Sequence, residues 1–226
     1  KWTCAYCVHF AMQRVEKLAQ QVTASPALAN PVSGGKSPDD VVICCAVRTP
    51  LCKAKRGGFN KLCPEEMLAP LFQAIIEKTK VDPAKVGDIQ IGNVLQPGAG
   101  AISARQAMLM GGFPESVSLM TLDRQCSSGL QAVANVAGQI KAGFIDVGIA
   151  GGVESMSMFD MASGVDPDKI GPTVFDHEGA MKCLIPMGTT SENVAAKYGV
   201  SKEKQDQMAV GSHAKAVAAK KNGWFK

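Results

Sequence analysis

The chain is poor in the groups that mark a membrane span, a metal centre or a nucleic-acid surface. Among its 226 residues, no apolar run approaches the roughly 20 residues that a bilayer-crossing helix needs. Three histidines occur. His177 is flanked by Asp176 and Glu178 and reads as part of a solvated loop. His213 falls in a helical pattern that suits surface or packing, and His9 stands near the start. The net charge of +4 is mild, and the basic residues are scattered. Lys53, Lys55 and Arg56 form one local cluster, and Lys215, Lys220 and Lys221 share a probable helix. Both read as solvated faces, so no nucleic-acid partner is expected. Gly57-Gly58 lacks the Walker spacing and its Lys-Ser/Thr pair, which excludes a phosphate loop there.

The eight cysteines do not form a secreted disulfide scaffold, because the chain is long and their spacing irregular. Reduced thiols are expected. Cys4 and Cys7 have C-x-x-C spacing, but no second pair or suitably spaced histidines follow, so no metal is expected there.

What is present points to an α/β protein. Apolar residues make up 46% of the chain, and there are 23 glycines, which suits tight turns between packed elements. The first eleven residues match nothing else and are read as upstream of a natural start at Met12. Val15, Leu18 and Val22 share one helical face. Thr23 to Asp40 is rich in Pro, Gly and Ser and reads as a linker. Val41 to Val47 is a continuous apolar run, as in a strand covered on both faces, and a loop follows to Phe59. A helix is expected from Pro64 to about Lys80, with Glu65 and Glu66 in its first turn and Pro70 bending or delaying it. Asp88–Val94 reads as a strand, residues after Gly100 as a helix, Val117–Leu122 as a strand, and Ile145–Ala150 as a strand ended by Gly151-Gly152. The sum is β-α-β-α-β-α-β, which predicts a mostly parallel sheet with helices on its faces. From Asp160 to Lys182 the periodicity is lost. Two helices then follow, Ser191–Lys197 and Lys202–Ala219, separated by Tyr198-Gly199-Val200-Ser201.

The stretch Asp123-Arg124-Gln125-Cys126-Ser127-Ser128-Gly129 is the chemical centre. It lies between a strand and a helix in which Leu130, Val133, Ala134, Ala137 and Ile140 recur at helical spacing. Cys126 is therefore expected at a helix N-terminus, where unpaired N–H groups and the helix dipole favour a thiolate. The same amides suit an oxyanion formed on a carbonyl that the sulfur attacks. From position alone, a small buried cap residue is an equal reading.

Arg124-Gln125-Cys126-Ser127-Ser128-Gly129-Leu130-Gln131-Ala132 resembles the nucleophile motif of thiolases. The resemblance continues in Arg48-Thr49-Pro50, Gly92-Asn93-Val94-Leu95-Gln96-Pro97-Gly98, Gly151-Gly152-Val153-Glu154-Ser155-Met156-Ser157 and Met187-Gly188-Thr189-Thr190-Ser191-Glu192-Asn193-Val194-Ala195. These run in the family's order from about Asp40 to Phe225, and the peroxisomal 3-ketoacyl-CoA branch is the most similar. The resemblance implies the N-terminal half of a thiolase-like α/β fold over residues 38–158. It also implies an incomplete, mainly helical loop domain over 159–226, and residues 1–37 are then a leader and linker. Arg14 to Val22 resembles an N-terminal peroxisomal targeting nonapeptide, with Val22 departing at the last position. This implies an import receptor as partner and the peroxisome as location, with the mitochondrion as the alternative.

For activity, the resemblance implies cleavage of 3-ketoacyl-CoA by CoA, with Cys126 as the acyl-carrying nucleophile, CoA as substrate and no cofactor or metal. A homodimer is implied for the full enzyme. The family's Asn-Glu-Ala-Phe, Gly-His-Pro and Cys-x-Gly motifs do not occur in this sequence, so the chain is expected to be the N-terminal part of such an enzyme. The alternatives are a non-catalytic short product that interacts with full-length subunits and an acetoacetyl-CoA thiolase.

Overall fold

In a computed structural model of the chain, residue 35, residues 37–161 and residues 167–224 are described. The leader, with Arg14 to Val22, most of the linker, and Cys4 and Cys7, lies outside the described residues. The chain divides into two compact units between Gly164 and Val165.

The first unit is a three-layer α/β arrangement. Helix α1 runs Pro64–Thr79, strand β1 Asp88–Gly92, helix α2 Ala101–Met110, strand β2 Ser118–Leu122, helix α3 Ser128–Lys141 and strand β3 Gly148–Gly152. The sheet order is β2-β1-β3, and both pairings are parallel. The predicted parallel sheet with interleaved helices is thus what forms. Because strand side chains alternate, Ile89 and Ile91 point to one face, and Asp88, Gln90 and Gly92 to the other. On the first face Ile89 and Ile91 join Leu68, Ala69 and Phe72 of α1 and Ala104, Ala107 and Met108 of α2 in the hydrophobic core. Phe72 meets Phe113 edge to face, with ring centroids 5.7 Å apart. On the second face lies α3.

Local sequence chemistry explains the ends of α1. The Cys63 N–H donates to Glu66 Oε2 at 2.7 Å, a reciprocal cap of the first turn. The far end stops at Lys80, whose φ is 55°. The helix continues through Pro70 rather than being delayed by it. Pro70 lies on the exposed side, where the Glu66 carbonyl that it leaves without a donor can be hydrated.

Three expectations are corrected. Val41 to Val47 pairs with no strand, and Val42 and Ile43 are 71% and 78% exposed. A run covered on both faces needs a central position, and β1, already flanked by β2 and β3, occupies it. Gly151 and Gly152 do not follow the last strand but form its last two residues, paired with Ile91 and Gly92. A Cβ on Gly152 would stand 3.1 Å from the Gly92 oxygen, so the glycine answers to packing, not to a turn. Finally, α3 turns Ser128, Ala132 and Val136 to the sheet, while Leu130 is 73% exposed. The smaller residues win because the sheet beneath is nearly bare: a Cβ on Gly92 would fall 2.5 Å from the Ser128 carbonyl carbon, and one on Gly148 would fall 2.6 Å from Val136 Cγ1.

The second unit, from Val165 on, is helical. After short turns come α4, Glu178–Met181, α5, Met187–Tyr198, and α6, Lys202–Lys221. Gly199 closes α5 with φ 64°. Ser201 caps α6 by accepting from the Lys204 N–H at 3.4 Å. The stop and restart fall where the sequence predicts, and α5 begins one turn earlier, directly after Pro186. Among the described residues, no helix is long and apolar enough to cross a membrane.

Candidate active site

The carboxyl ends of the three parallel strands all lead into the chemically distinctive stretches. In parallel α/β sheets, ligands bind outside this edge, where successive connections leave to opposite sides. Here β1 leads through α2 to β2 on one side of it, and β2 leads through α3 to β3 on the other.

Cys126 sits on a tight turn between β2 and α3 and is exposed. The turn rests on Gln125, whose φ is 50°. A non-glycine residue holds this left-handed conformation only where its surroundings impose it. They do so through a dense set of bonds. The Gln125 N–H donates to Asp123 Oδ1 at 2.7 Å. The Arg124 N–H donates to Ser128 Oγ at 2.8 Å, and that hydroxyl donates to the Gln125 oxygen at 2.6 Å. The Ser127 N–H donates to the Arg124 oxygen at 3.2 Å, and the Ser128 N–H to the Gln125 oxygen at 3.0 Å. The Cys126 N–H takes part in none of these backbone bonds. The sulfur thus projects from the start of a 14-residue helix, beside first-turn amides that lack intrahelical partners. This position suits attack on a carbonyl and retention of the oxyanion that results.

Two neighbouring loops complete the edge. The Asn93 N–H donates to the Leu122 oxygen and the Val153 N–H to the Gly92 oxygen, both at 3.1 Å. The Glu154 carboxylate then clamps the turn after β1. It accepts from Asn93 Nδ2 at 3.0 Å, from the Val94 N–H at 3.0 Å and from the Leu95 N–H at 3.4 Å. Sequence reading noticed Glu154 only as a motif letter, and its clamping role had no local signal. Beyond this turn a cleft of ≈ 460 Å³ is bordered by Gln96, Ser103, Met158 and Phe159, and Cys126 is not in its wall.

The remaining candidates have surroundings of their own. His177 is exposed and caps α4, its Nδ1 accepting from the Ala180 N–H at 3.2 Å. His213 is exposed on α6. Cys63 caps α1, and its thiol is pushed up by burial first and then by the Glu65 and Glu66 carboxylates. No cluster of three or more His, Cys, Asp or Glu side chains able to hold a metal occurs among the described residues.

The site is thus an exposed cysteine on a tight turn at the carboxyl edge of a parallel sheet with helices on both faces. Residues 41–226 match the family model described as the thiolase N-terminal domain, and the chain belongs to the thiolase family. It is 54% identical over 189 residues to the peroxisomal 3-ketoacyl-CoA thiolase 2 of Arabidopsis thaliana, an alignment covering 83% of this chain and 40% of that protein. It is 47% identical over 213 residues to the peroxisomal 3-ketoacyl-CoA thiolase B of Rattus norvegicus, covering 92% of this chain and 50% of the relative. Among solved structures, the dimeric peroxisomal thiolase of Saccharomyces cerevisiae superposes with a TM-score of 0.78 at 40% identity, over 84% of this chain and 50% of that one. The chain thus spans half the length or less of these relatives.

Proposed function

We propose that this chain carries the acyl-accepting site of a peroxisomal 3-ketoacyl-CoA thiolase of fatty-acid β-oxidation, with Cys126 as nucleophile. The observation that carries this reading is the placement of an exposed cysteine on a left-handed turn at the start of α3. The Cys126 sulfur attacks the 3-keto carbon, and the C2–C3 bond breaks. The two-carbon fragment leaves as acetyl-CoA after taking up a proton, and the acyl group stays on sulfur as a thioester. The thiol of a second CoA then takes the acyl group, and the cysteine is released. This ping-pong route uses covalent catalysis without a metal.

The acid and base steps need a partner for Cys126. We assign those steps to the segment of the longer relatives that this chain does not match. The exposed apolar side chains of Leu130, Val133 and Met120 suit a face covered in a homodimer, and the yeast relative is described as dimeric.

The test is site-resolved alkylation of the 226-residue chain by iodoacetamide, with and without acetoacetyl-CoA. Cys126 should react faster than Cys52 and Cys183, which are also exposed, and acetoacetyl-CoA should protect it. If Cys126 reacts no faster than those two, the nucleophile assignment fails.

A further inference from the structure

We infer that a one-way chain of side-chain hydrogen bonds, anchored on buried Asp88 and ending on Arg124, positions the Cys126 turn. Asp88 lies at the start of the central strand and is only 7% exposed. Its Oδ2 accepts from Gln90 Nε2 at 2.9 Å and from Gln139 Nε2 at 3.0 Å. Gln90 Oε1 accepts from Asn135 Nδ2 at 3.0 Å. Asn135 Oδ1 accepts from Gln131 Nε2 at 2.6 Å, and Gln131 Oε1 accepts from Arg124 Nη1.

Every link donates towards Asp88. The ends dictate this polarity: a guanidinium only donates and a carboxylate only accepts. Flipping any amide between them would set donor against donor or acceptor against acceptor. Gln131, Asn135 and Gln139 recur at intervals of four along α3 and are half-buried, so the chain runs along the side of the helix that meets the sheet. Packing amides there costs desolvation that apolar side chains would avoid. In return, a fully satisfied network specifies one geometry.

That geometry reaches the site through Arg124. Its side chain is held by Gln131. Its backbone N–H is held by Ser128, and its oxygen by the Ser127 N–H and hydroxyl. Arg124 directly precedes the left-handed Gln125, so the chain fixes one flank of the turn that presents Cys126. These side chains are positioning residues, and the inference rests on the nucleophile reading of Cys126.

Two substitutions of similar shape separate polarity from packing. Gln131→Met keeps the length of the side chain and breaks the link to Arg124. Gln131→Glu keeps an acceptor for Arg124 but loses the donor to Asn135. In the alkylation assay, Gln131→Met should slow Cys126 roughly tenfold, as for the loss of a hydrogen bond to a charged group. Cys52 and Cys183 should be unaffected, and Gln131→Glu, which keeps the Arg124 link and loses the one to Asn135, should slow Cys126 less than Gln131→Met does. If Gln131→Met does not fold, Asn135→Met breaks the next link and is read the same way. A fast Cys126 in the parent with an equally fast Gln131→Met overturns the positioning role alone. Equal slowing by Met and Glu also overturns it, because the link to Arg124 that Glu keeps would then not matter. A slow Cys126 in the parent overturns the nucleophile reading, and this inference with it.

Discussion

Two glycine-to-alanine substitutions, one under α3 and one on it, should move stability in opposite directions. Neither Gly92 nor Gly138 has a positive φ, so backbone strain plays no part, and the outcome depends on space. At Gly92 the added Cβ would lie 2.5 Å from the Ser128 carbonyl carbon and 2.6 Å from the Gly129 nitrogen. Both are backbone atoms of the first turn of α3 and cannot rotate away. Ordinary contact begins near 3.4 Å, so the start of the helix must lift by about 0.9 Å, and overpacking of this kind costs about 1–3 kcal/mol. At Gly138 nothing lies within 4 Å of the added Cβ. The position is inside α3, where alanine should stabilise by about 0.5–1 kcal/mol. Urea unfolding of the two variants and the parent reads both numbers, with equal slopes as the check on two-state behaviour. Gly92→Ala should in addition change the Cys126 alkylation rate, because the lifted turn carries the sulfur, whereas Gly138→Ala should not. A Gly92→Ala chain as stable as the parent, with the parent's Cys126 rate, would refute the claim that the helix start is wedged against β1.

The other expectations concern the flanks of the site. Glu154→Gln replaces one acceptor of the β1 clamp by a donor that faces other donors. It should cost about 1 kcal/mol, the low end for a lost charged hydrogen bond, because the carboxylate is open to solvent; equilibrium unfolding measures it, and an unchanged midpoint would count against the clamp. Cys63, whose thiol is pushed up by burial and by Glu65 and Glu66, holds less thiolate near neutral pH than an ordinary cysteine. It should therefore alkylate more slowly than N-acetylcysteine at pH 7, with the gap narrowing as pH rises, and Glu65→Gln should narrow it further. A Cys63 rate equal to that of the free thiol at pH 7 would contradict this.

How much of this architecture was legible in the sequence depends on how local its cause is. The start of α1 at Pro64, the break at Gly199-Val200-Ser201 and the place of Cys126 between strand and helix were all readable. A cap, a left-handed residue or a change of hydrophobic period settles each within a few residues. The inward side of α3 was not readable. Periodicity marked a stripe of larger apolar residues through Leu130 and Val133, but the fold sets Ser128, Ala132 and Val136 against the sheet. What decides this is Gly92 and Gly148, which lie far from the helix start in sequence and leave room only for a close, small-residue contact. The same limit hid the fate of Val41 to Val47, since the central position in the sheet went to another strand.

The site divides along the same line. The turn that exposes Cys126 is made almost wholly of bonds between residues 123 and 128. Gln131 lies just beyond it and reads in the sequence as one more letter of a helix. Its meaning comes from Arg124 seven residues before it and, through Asn135, from Gln90 and Asp88 more than forty residues away. The i, i+4 recurrence of amides at 131, 135 and 139 was the available signal. Without the strand to receive it, that recurrence is equally the pattern of a solvated helix side. The direction of every hydrogen bond along it, from guanidinium to carboxylate, makes it a positioning device. That direction exists only once β1 places a buried acid at the far end.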